Sequence, residues 1–169
     1  FDHMTWYGRG PFENYWDRNA AAYVGRYESS VADLYVPYVR PQENGYRTDV
    51  RWATLTDDDG VGLLAVGMPR LSMSAHHNVL EDFESPEAGY VERHEAENRH
   101  TIDVRPRDLV SLNLDYRQMG VGGNNSWGME TLDRYRLLED GYAYSFRIRP
   151  FQGDDATAAE LARQRLMLP

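Results

Sequence analysis

The sequence contains no cysteine, which excludes disulfides, thiolate nucleophiles and zinc sites built from thiolates. It has no apolar run near the roughly 20 residues that a membrane-spanning helix needs. Its formal charge of −9 would repel the phosphate backbone of a nucleic acid. We therefore expect neither a membrane protein nor a nucleic-acid partner.

The chain is long enough for one sizeable core, and we expect a single domain or part of one. Residues 1–6 lack the charged and apolar regions of a signal peptide, which carries no information on location if the chain is a fragment. The location is left open, with the cytoplasm favoured over the periplasm. Aromatic side chains are abundant, with 12 tyrosines and 4 tryptophans. Such rings are equally suited to sheet cores, interfaces and sugar-binding surfaces. Their number alone therefore does not indicate which of these roles they have.

Short runs of alternating apolar and polar residues predict a mostly antiparallel β fold. Residues 50–55 and 61–68 are predicted to form a hairpin around an aspartate-rich turn that ends in Gly60. A further strand is predicted over residues 109–116. Residues 133–138 and 142–148 are predicted to pair with one another across a Glu-Asp-Gly turn.

Two segments break this pattern. Residues 81–99 are acidic and polar and predict a surface excursion that adds little to the core. Residues 156–167 are rich in good helix formers and follow an aspartate that can cap a helix. They predict a short C-terminal helix, either packed on the sheet or frayed.

The most unusual stretch is residues 119–128, which combine glycines, asparagines and a serine with Trp127. Glycines allow close approach of a ligand, and a sugar ring needs an aromatic platform beside amide and hydroxyl groups. The alternative is a glycine-rich bend whose tryptophan folds back onto the core. A phosphate loop is rejected because no Lys-Ser/Thr pair and no helix follow.

Two other segments, residues 6–18 and 38–47, place Pro, Glu and Asn beside aromatic residues and arginine. Such a mix builds rigid loops with satisfied polar groups, so a scaffolding role competes with ligand contact for both segments. His76, His77, Glu81 and Asp82 are the best metal candidates, but adjacent histidines on a strand point to opposite faces. We therefore predict no metal site.

The two aromatic segments and the glycine-rich stretch resemble three motifs in the last domain of lacZ-type β-galactosidases of glycoside hydrolase family 2. The motifs occur there in the same order. Residues 6–18 read WYGRGPFENYWDR and resemble W-x-G-x-G-P-x-E-N-Y-x-D-R. Residues 38–45 read YVRPQENG and resemble Y-V-x-P-x-E-N-G. Residues 119–127 read MGVGGNNSW and resemble M-G-x-G-G-x-x-S-W. The resemblance spans most of residues 6–148.

The resemblance implies an all-β fold, the galactose mutarotase-like antiparallel β super-sandwich of the small-chain domain. Residues 1–153 would form only its second half, followed by a helical tail over residues 154–169. It also implies that Trp127 stacks on the sugar of a β-galactoside such as lactose, supported by Asn124, Asn125 and Ser126. The family often has two aspartates where this chain has the two asparagines.

In this family the two carboxyl groups that retaining hydrolysis requires lie on a catalytic barrel domain. We therefore predict no catalytic residues and no cofactor in these 169 residues, and no activity of the chain alone. The barrel of the same protein and a homo-oligomeric assembly are the expected partners, and magnesium and sodium are expected on other domains. The alternatives are a stand-alone carbohydrate-binding module and a mutarotase-like epimerase.

Overall fold

A computed structural model describes residues 1–83, 100–123, 125 and 128–165 of the chain. These residues form one antiparallel sheet and one helix. The strands are β1 (His3–Gly10), β2 (Tyr23–Ser30), β3 (Arg47–Thr56), β4 (Val61–His76), β5 (Ser111–Asp115) and β6 (Ser145–Gln152), and the helix is α1 (Asp155–Arg163). The predicted all-β fold with a short C-terminal helix is confirmed. The described strands lie in a single sheet, as expected for one half of a sandwich.

The long strand β4 organises the sheet. The strand order is β2-β1-β3-β4-β5, and β6 also pairs with β4. One edge of β4 pairs with β3, so β5 and β6 share the other edge. β6 pairs with the first half of β4, from Val61 to Met68, and β5 pairs with the second half, from Ser72 to His76.

The predicted hairpin over residues 50–68 is confirmed as β3 and β4. Asp57 closes its turn, since its carboxylate accepts hydrogen bonds from the backbone N–H groups of Asp59 (3.1 Å) and Val61 (2.9 Å). Its own N–H donates to the carbonyl of Val61 at 2.9 Å. An aspartate at the start of a turn can satisfy the backbone in this way without distant residues.

The predicted pairing of residues 133–138 with residues 142–148 is wrong. Asp133–Tyr135 form a 3₁₀ turn, and β6 pairs instead with the free edge of β4. The carbonyl of Tyr135 accepts a hydrogen bond from the N–H of Gly120 at 2.8 Å, which ties this turn to the glycine segment. The eight-residue ladder on β4 satisfies more backbone groups than a short local hairpin could.

The main core lies on one face of the sheet. Cross-strand neighbours on this face include Trp6, Ala53 and Ala65, all at most 3% exposed. Loops that cover this face add Val31 and Leu34. Burial of such side chains contributes on the order of 1.5–3 kcal/mol each. The buried members of this core are Met4, Trp6, Val31, Leu34, Val50, Ala53, Leu55, Leu71, Met73 and Ala75.

Helix α1 covers part of the opposite face. Its buried residue Ala158 packs with Trp52, Leu64, Val66 and Phe151. The predicted aspartate cap is present: Asp154 accepts hydrogen bonds from the backbone N–H (2.9 Å) and the hydroxyl (2.7 Å) of Thr157. These bonds lower the pKa of the Asp154 carboxyl.

The helix ends at Arg163, so its predicted end at residue 167 is wrong. Gln164 has extended backbone angles, with φ −60° and ψ 128°. The guanidinium of Arg147 on β6 donates to the carbonyl oxygens of Gln164 (3.0 Å) and Ala162 (2.7 Å). A basic side chain that caps the last carbonyls stabilises this end of the helix. No helix in the described part of the chain has the length and apolarity to cross a membrane.

The segment predicted as a surface excursion contributes to the core at its start. Phe83 is 3% exposed and stacks on Tyr35 with a centroid distance of 5.9 Å. Asp82 is also buried, and its carboxylate accepts hydrogen bonds from Arg107, which lower its pKa. The expectation of little core is therefore wrong for these two residues. Residues 84–99, the rest of the segment, lie outside the described residues.

Candidate functional site

The segments over residues 6–18 and 38–47 meet at the carboxylate of Glu13. This carboxylate accepts hydrogen bonds from the hydroxyl of Tyr38, the hydroxyl of Tyr15 (3.2 Å) and the backbone N–H of Gly45 (2.9 Å). Burial, followed by the bond to Glu13, raises the pKa of Tyr38 to about 12. Glu13 therefore joins the two segments and has its acceptor positions occupied. We call Glu13, Tyr15, Tyr38, Gly45 and Arg47 the Glu13 cluster.

Arg47 is the positive charge of this cluster. It is 4% exposed, and its guanidinium donates to the carbonyl oxygens of Gly45 and Pro11, the latter at 3.1 Å. The guanidinium carbon lies 5.3 Å from the ring centroid of Trp6. Burial lowers the pKa of Arg47 to about 10. Its contacts hold the loop around the cis Gly10–Pro11 bond against the sheet.

The asparagines of the two segments bond to backbone. Asn14 accepts hydrogen bonds from the N–H (3.0 Å) and the hydroxyl (2.6 Å) of Thr48. The side-chain oxygen of Asn44 accepts a hydrogen bond from the backbone N–H of Val36 at 3.0 Å. The backbone carbonyl of Asn44 lies 2.9 Å from Nε2 of His76. Both asparagine side chains therefore stabilise the loops around them, which is the scaffolding role predicted as the alternative to ligand contact.

The two histidines proposed and rejected as metal ligands bond separately. His76 is buried against the carbonyl of Asn44, and burial lowers its pKa. His77 contacts the carboxylate of Asp2 at 2.9 Å and the carbonyl of Leu109 at 2.8 Å. Among the residues that the structure describes, no three or more His, Asp or Glu side chains converge as metal ligands do.

Residues 119–131, which we call the glycine loop, are anchored by Asp17 of the first segment. The Asp17 carboxylate accepts hydrogen bonds from the N–H groups of Val121 (3.0 Å) and Gly122 (2.8 Å) and from the hydroxyl of Thr131 (3.3 Å). A Cβ at Gly120 would lie 2.6 Å from the same carboxylate, so only glycine allows this close approach. One carboxylate therefore holds both ends of the loop.

Most of the predicted sugar-contacting residues lie outside the described residues. These are Asn124, Ser126 and Trp127. Asn125 is described: it is exposed, and its side-chain carbonyl accepts a hydrogen bond from the N–H of Met129 at 3.2 Å. Asn125 thus stabilises a local turn within the loop. Sugar contact by these four residues stays a prediction.

A cleft of about 500 Å³ lies at the start of the glycine loop. We call it the Arg117 cleft, because the guanidinium of Arg117 lies against two of its aromatic rings. The guanidinium carbon of Arg117 lies 4.3 Å from the ring centroid of Trp16 and 4.2 Å from that of Tyr116. The lining residues are Trp16, Asn19, Tyr46, Thr48, Asp49, Pro69, Arg70, Leu71, Ser72, Tyr116, Arg117 and Gln118.

The inner wall of the Arg117 cleft is polar. The hydroxyl of Tyr46 is buried beside the Ser72 hydroxyl and the Asp115 carboxyl, but it makes no hydrogen bond of good geometry. Burial raises the pKa of Tyr46 and also that of Asp115. The cleft thus has hydroxyl groups in its wall and an aromatic and cationic rim.

Sequence reasoning missed this cleft. Trp16 was part of a recognised segment, but Tyr116 was predicted only as the end of a strand and Arg117 was given no role. The signal was their position, since this aromatic-arginine pair lies one residue before the glycine loop. Trp16 and Tyr46 come from distant parts of the sequence, and only the folded sheet brings them to the same place.

The fold and the loop anchors can now be compared with known proteins. A family model described as beta galactosidase small chain matches residues 1–148. The chain belongs to this family. The match includes the Glu13 cluster, the glycine loop and the Arg117 cleft, whereas helix α1 lies beyond it.

Curated relatives in this family carry the name beta-galactosidase. The protein from Priestia megaterium is 39% identical over 151 residues, which are 89% of this chain and 13% of the relative. The protein from Streptococcus thermophilus is 34% identical over 89% of this chain and 14% of the relative. The protein from Vibrio vulnificus strain YJ016 is 33% identical over 87% of this chain and 12% of the relative. The chain therefore spans only 12–14% of the length of these relatives.

Proposed function

We propose that this β-galactosidase small-chain domain contacts the sugar in a longer enzyme that hydrolyses terminal β-D-galactosides such as lactose. The observation that carries the proposal is the family match over residues 1–148, together with relatives named beta-galactosidase. Because those relatives are several times longer than this chain, the activity belongs to the longer protein.

The glycine loop is the part of the domain that we propose to contact the sugar. Its two ends are fixed by one carboxylate, that of Asp17. Trp127 would supply an apolar platform for the C–H face of galactose, and Asn124 and Ser126 would supply polar partners for its rim. We expect a loop that is anchored at both ends to lose less conformational entropy on binding than a free one.

The catalytic carboxyl groups are proposed to lie on a separate barrel domain. Retaining hydrolysis needs an acid/base and a nucleophile about 5 Å apart and free to act. Glu13 does not meet this requirement, because it accepts three hydrogen bonds within the fold. The 169-residue chain alone is therefore expected to be inactive.

The mass of the native protein tests whether the domain belongs to a longer enzyme. An antibody against this 19.5 kDa chain is expected to detect a band several times heavier in the source cells. A band near the mass of the chain would contradict the proposal, because no barrel would then share its polypeptide.

Replacement of Trp127 tests the sugar contact in the longest protein that carries these residues. We expect Trp127→Ala to lower kcat/KM for lactose at least about tenfold, because the stacking platform is lost. Trp127→Phe should restore much of the rate, since it keeps an aromatic face. Trp52→Phe, beneath helix α1, is the matched control and should leave KM unchanged. Wild-type kinetics in Trp127→Ala would overturn the assignment.

A further inference from the structure

The Arg117 cleft contains a cation that is held in place and has no acidic partner among the described residues. The guanidinium of Arg117 lies against the rings of Trp16 and Tyr116, and it donates one hydrogen bond, to the Tyr116 hydroxyl. Within the described residues it forms no ion pair. An arginine has five N–H donors, so most of its donor capacity is unused.

The other charges of the cleft neutralise one another. Asp49 accepts hydrogen bonds from Arg70 (3.0 Å) and from Arg9 outside the cleft (2.7 Å). Asp115 lies behind the wall beside Tyr46, where burial disfavours its charged form. Arg117 is therefore the charge that a ligand in this cleft would meet.

The rings around Arg117 restrict its position. Trp16 is itself fixed, since its ring meets that of Tyr135 edge to face, with centroids 5.7 Å apart and an interplanar angle of 85°. Stacking fixes the plane of a guanidinium, so its N–H edge is oriented before a ligand arrives. A planar edge of N–H donors matches the two oxygens of a carboxylate.

The uncharged lining suits a ligand rich in hydroxyl groups. Gln118 and Ser72 add an amide and a hydroxyl group to the lining of the cleft. The buried Tyr46 hydroxyl has a hydrogen bond to complete. A volume of about 500 Å³ is enough for a small ligand with some bound water. Aromatic edges combined with convergent hydroxyl and amide groups favour a saccharide over a purely apolar molecule.

We propose that the Arg117 cleft is a saccharide site whose binding does not require Trp127, and that it selects sugars that carry a carboxylate. The choice of a saccharide rests on the proposed function, whereas the preference for an acid rests on Arg117 alone. The carboxylate would pair with the N–H edge of Arg117. The ring hydroxyls of the sugar would reach Gln118 and the wall around Tyr46.

Calorimetric titration with D-galacturonate and D-galactose of the longest protein that carries these residues tests this proposal. Both ligands are added to a Trp127→Ala background, which removes the glycine-loop platform. We expect galacturonate to bind at least about tenfold more tightly than galactose, since its carboxylate adds a charge-assisted pair with Arg117. Equal affinity for the two sugars, or no binding of either, would overturn the proposal.

Variants of Arg117 assign the preference to its side chain. Arg117→Gln should abolish the difference between the two sugars, and Arg117→Lys should retain only part of it because the planar edge is lost. Arg105→Gln removes an exposed charge outside the cleft and should leave the preference intact. A preference that survives in both Arg117 variants would contradict the assignment.

The two proposals can fail separately. If Trp127→Ala leaves lactose hydrolysis unchanged but galacturonate still binds, the cleft stands and the loop assignment falls. If galacturonate binding requires Trp127, the acid-selective site is not the Arg117 cleft.

Discussion

The Glu13 cluster and the glycine loop use carboxylates in different ways. In the Glu13 cluster, buried tyrosines, an arginine and a glycine N–H surround the acid, and nearly every polar group has a partner inside the fold. In the glycine loop, Asp17 fixes the two ends, and the described residue Asn125 between them is exposed. The first carboxylate ties two segments into one scaffold, and the second anchors a loop at its ends.

The three family-typical segments are similar in composition. All three combine aromatic residues with polar ones, and all three resemble the same family. Only the position of each polar group in the fold distinguishes a satisfied scaffold from a surface available to ligand.

Loss of the Glu13 carboxylate should have the largest effect on stability. Glu13→Ala leaves two hydroxyls and one N–H without their acceptor and removes the negative charge beside buried Arg47. We expect the free energy of unfolding to fall by about 4 kcal/mol, measured by urea denaturation. Glu28→Ala on the exposed side of β2 is the control. An equal loss of unfolding free energy in both variants would contradict the scaffold role of the Glu13 cluster.

Two glycines compare the regions directly. Gly45 and Gly123 both have positive φ angles, 70° and 81°. A Cβ at Gly45 would lie 2.6 Å from the His76 ring, whereas at Gly123 it would meet nothing within 4 Å. We therefore expect Gly45→Ala to cost about 3 kcal/mol, from strain and overpacking, and Gly123→Ala about 1 kcal/mol, from strain alone. Thermal unfolding of both variants measures the difference, and similar costs would contradict it.

Removal of the Asp17 carboxylate should release the glycine loop. In Asp17→Ala we expect about 2 kcal/mol of destabilisation, because Val121, Gly122 and Thr131 lose their acceptor. Amide hydrogen exchange at Val121 and Gly122 should become at least about tenfold faster. Asp33→Ala, in an exposed turn, is the matched control and should not change these amides. Unchanged exchange in Asp17→Ala would show that the loop is held by other contacts.

The buried imidazole of His76 should make stability depend on pH. Its pKa is lowered from 6.5, chiefly by burial, so the folded chain keeps it neutral. As the pH falls below 6.5, the unfolded chain binds a proton that the folded chain does not, and stability decreases until the lower, folded pKa is reached. We expect about 1 kcal/mol per pH unit in this window, measured by urea denaturation. His76→Asn should remove this contribution, and an identical slope in that variant would refute it.

Local patterns in the sequence predicted the elements that depend on near neighbours. The β3–β4 hairpin follows from Asp57 and Gly60 within its own turn, and the start of α1 follows from the Asp154 cap. The position of β6 was not predictable in this way. The residues of β4 that it pairs with are at least 77 positions away in the sequence, as for Met68 and Ser145. The local Glu-Asp-Gly turn favoured a hairpin, but pairing with the edge of β4 is more stable.

The residues of the candidate site also differ in whether the sequence alone could identify their role. The sequence by itself determined the family, the all-β class and the glycine loop, because these depend on residue types in a fixed order along the chain. It could not assign Glu13, Asn14 and Asn44 to the scaffold, nor place Trp16 beside Arg117. Those roles depend on which groups become buried and which distant segments meet, and the tertiary structure decides both when strands separated in sequence pair in one sheet.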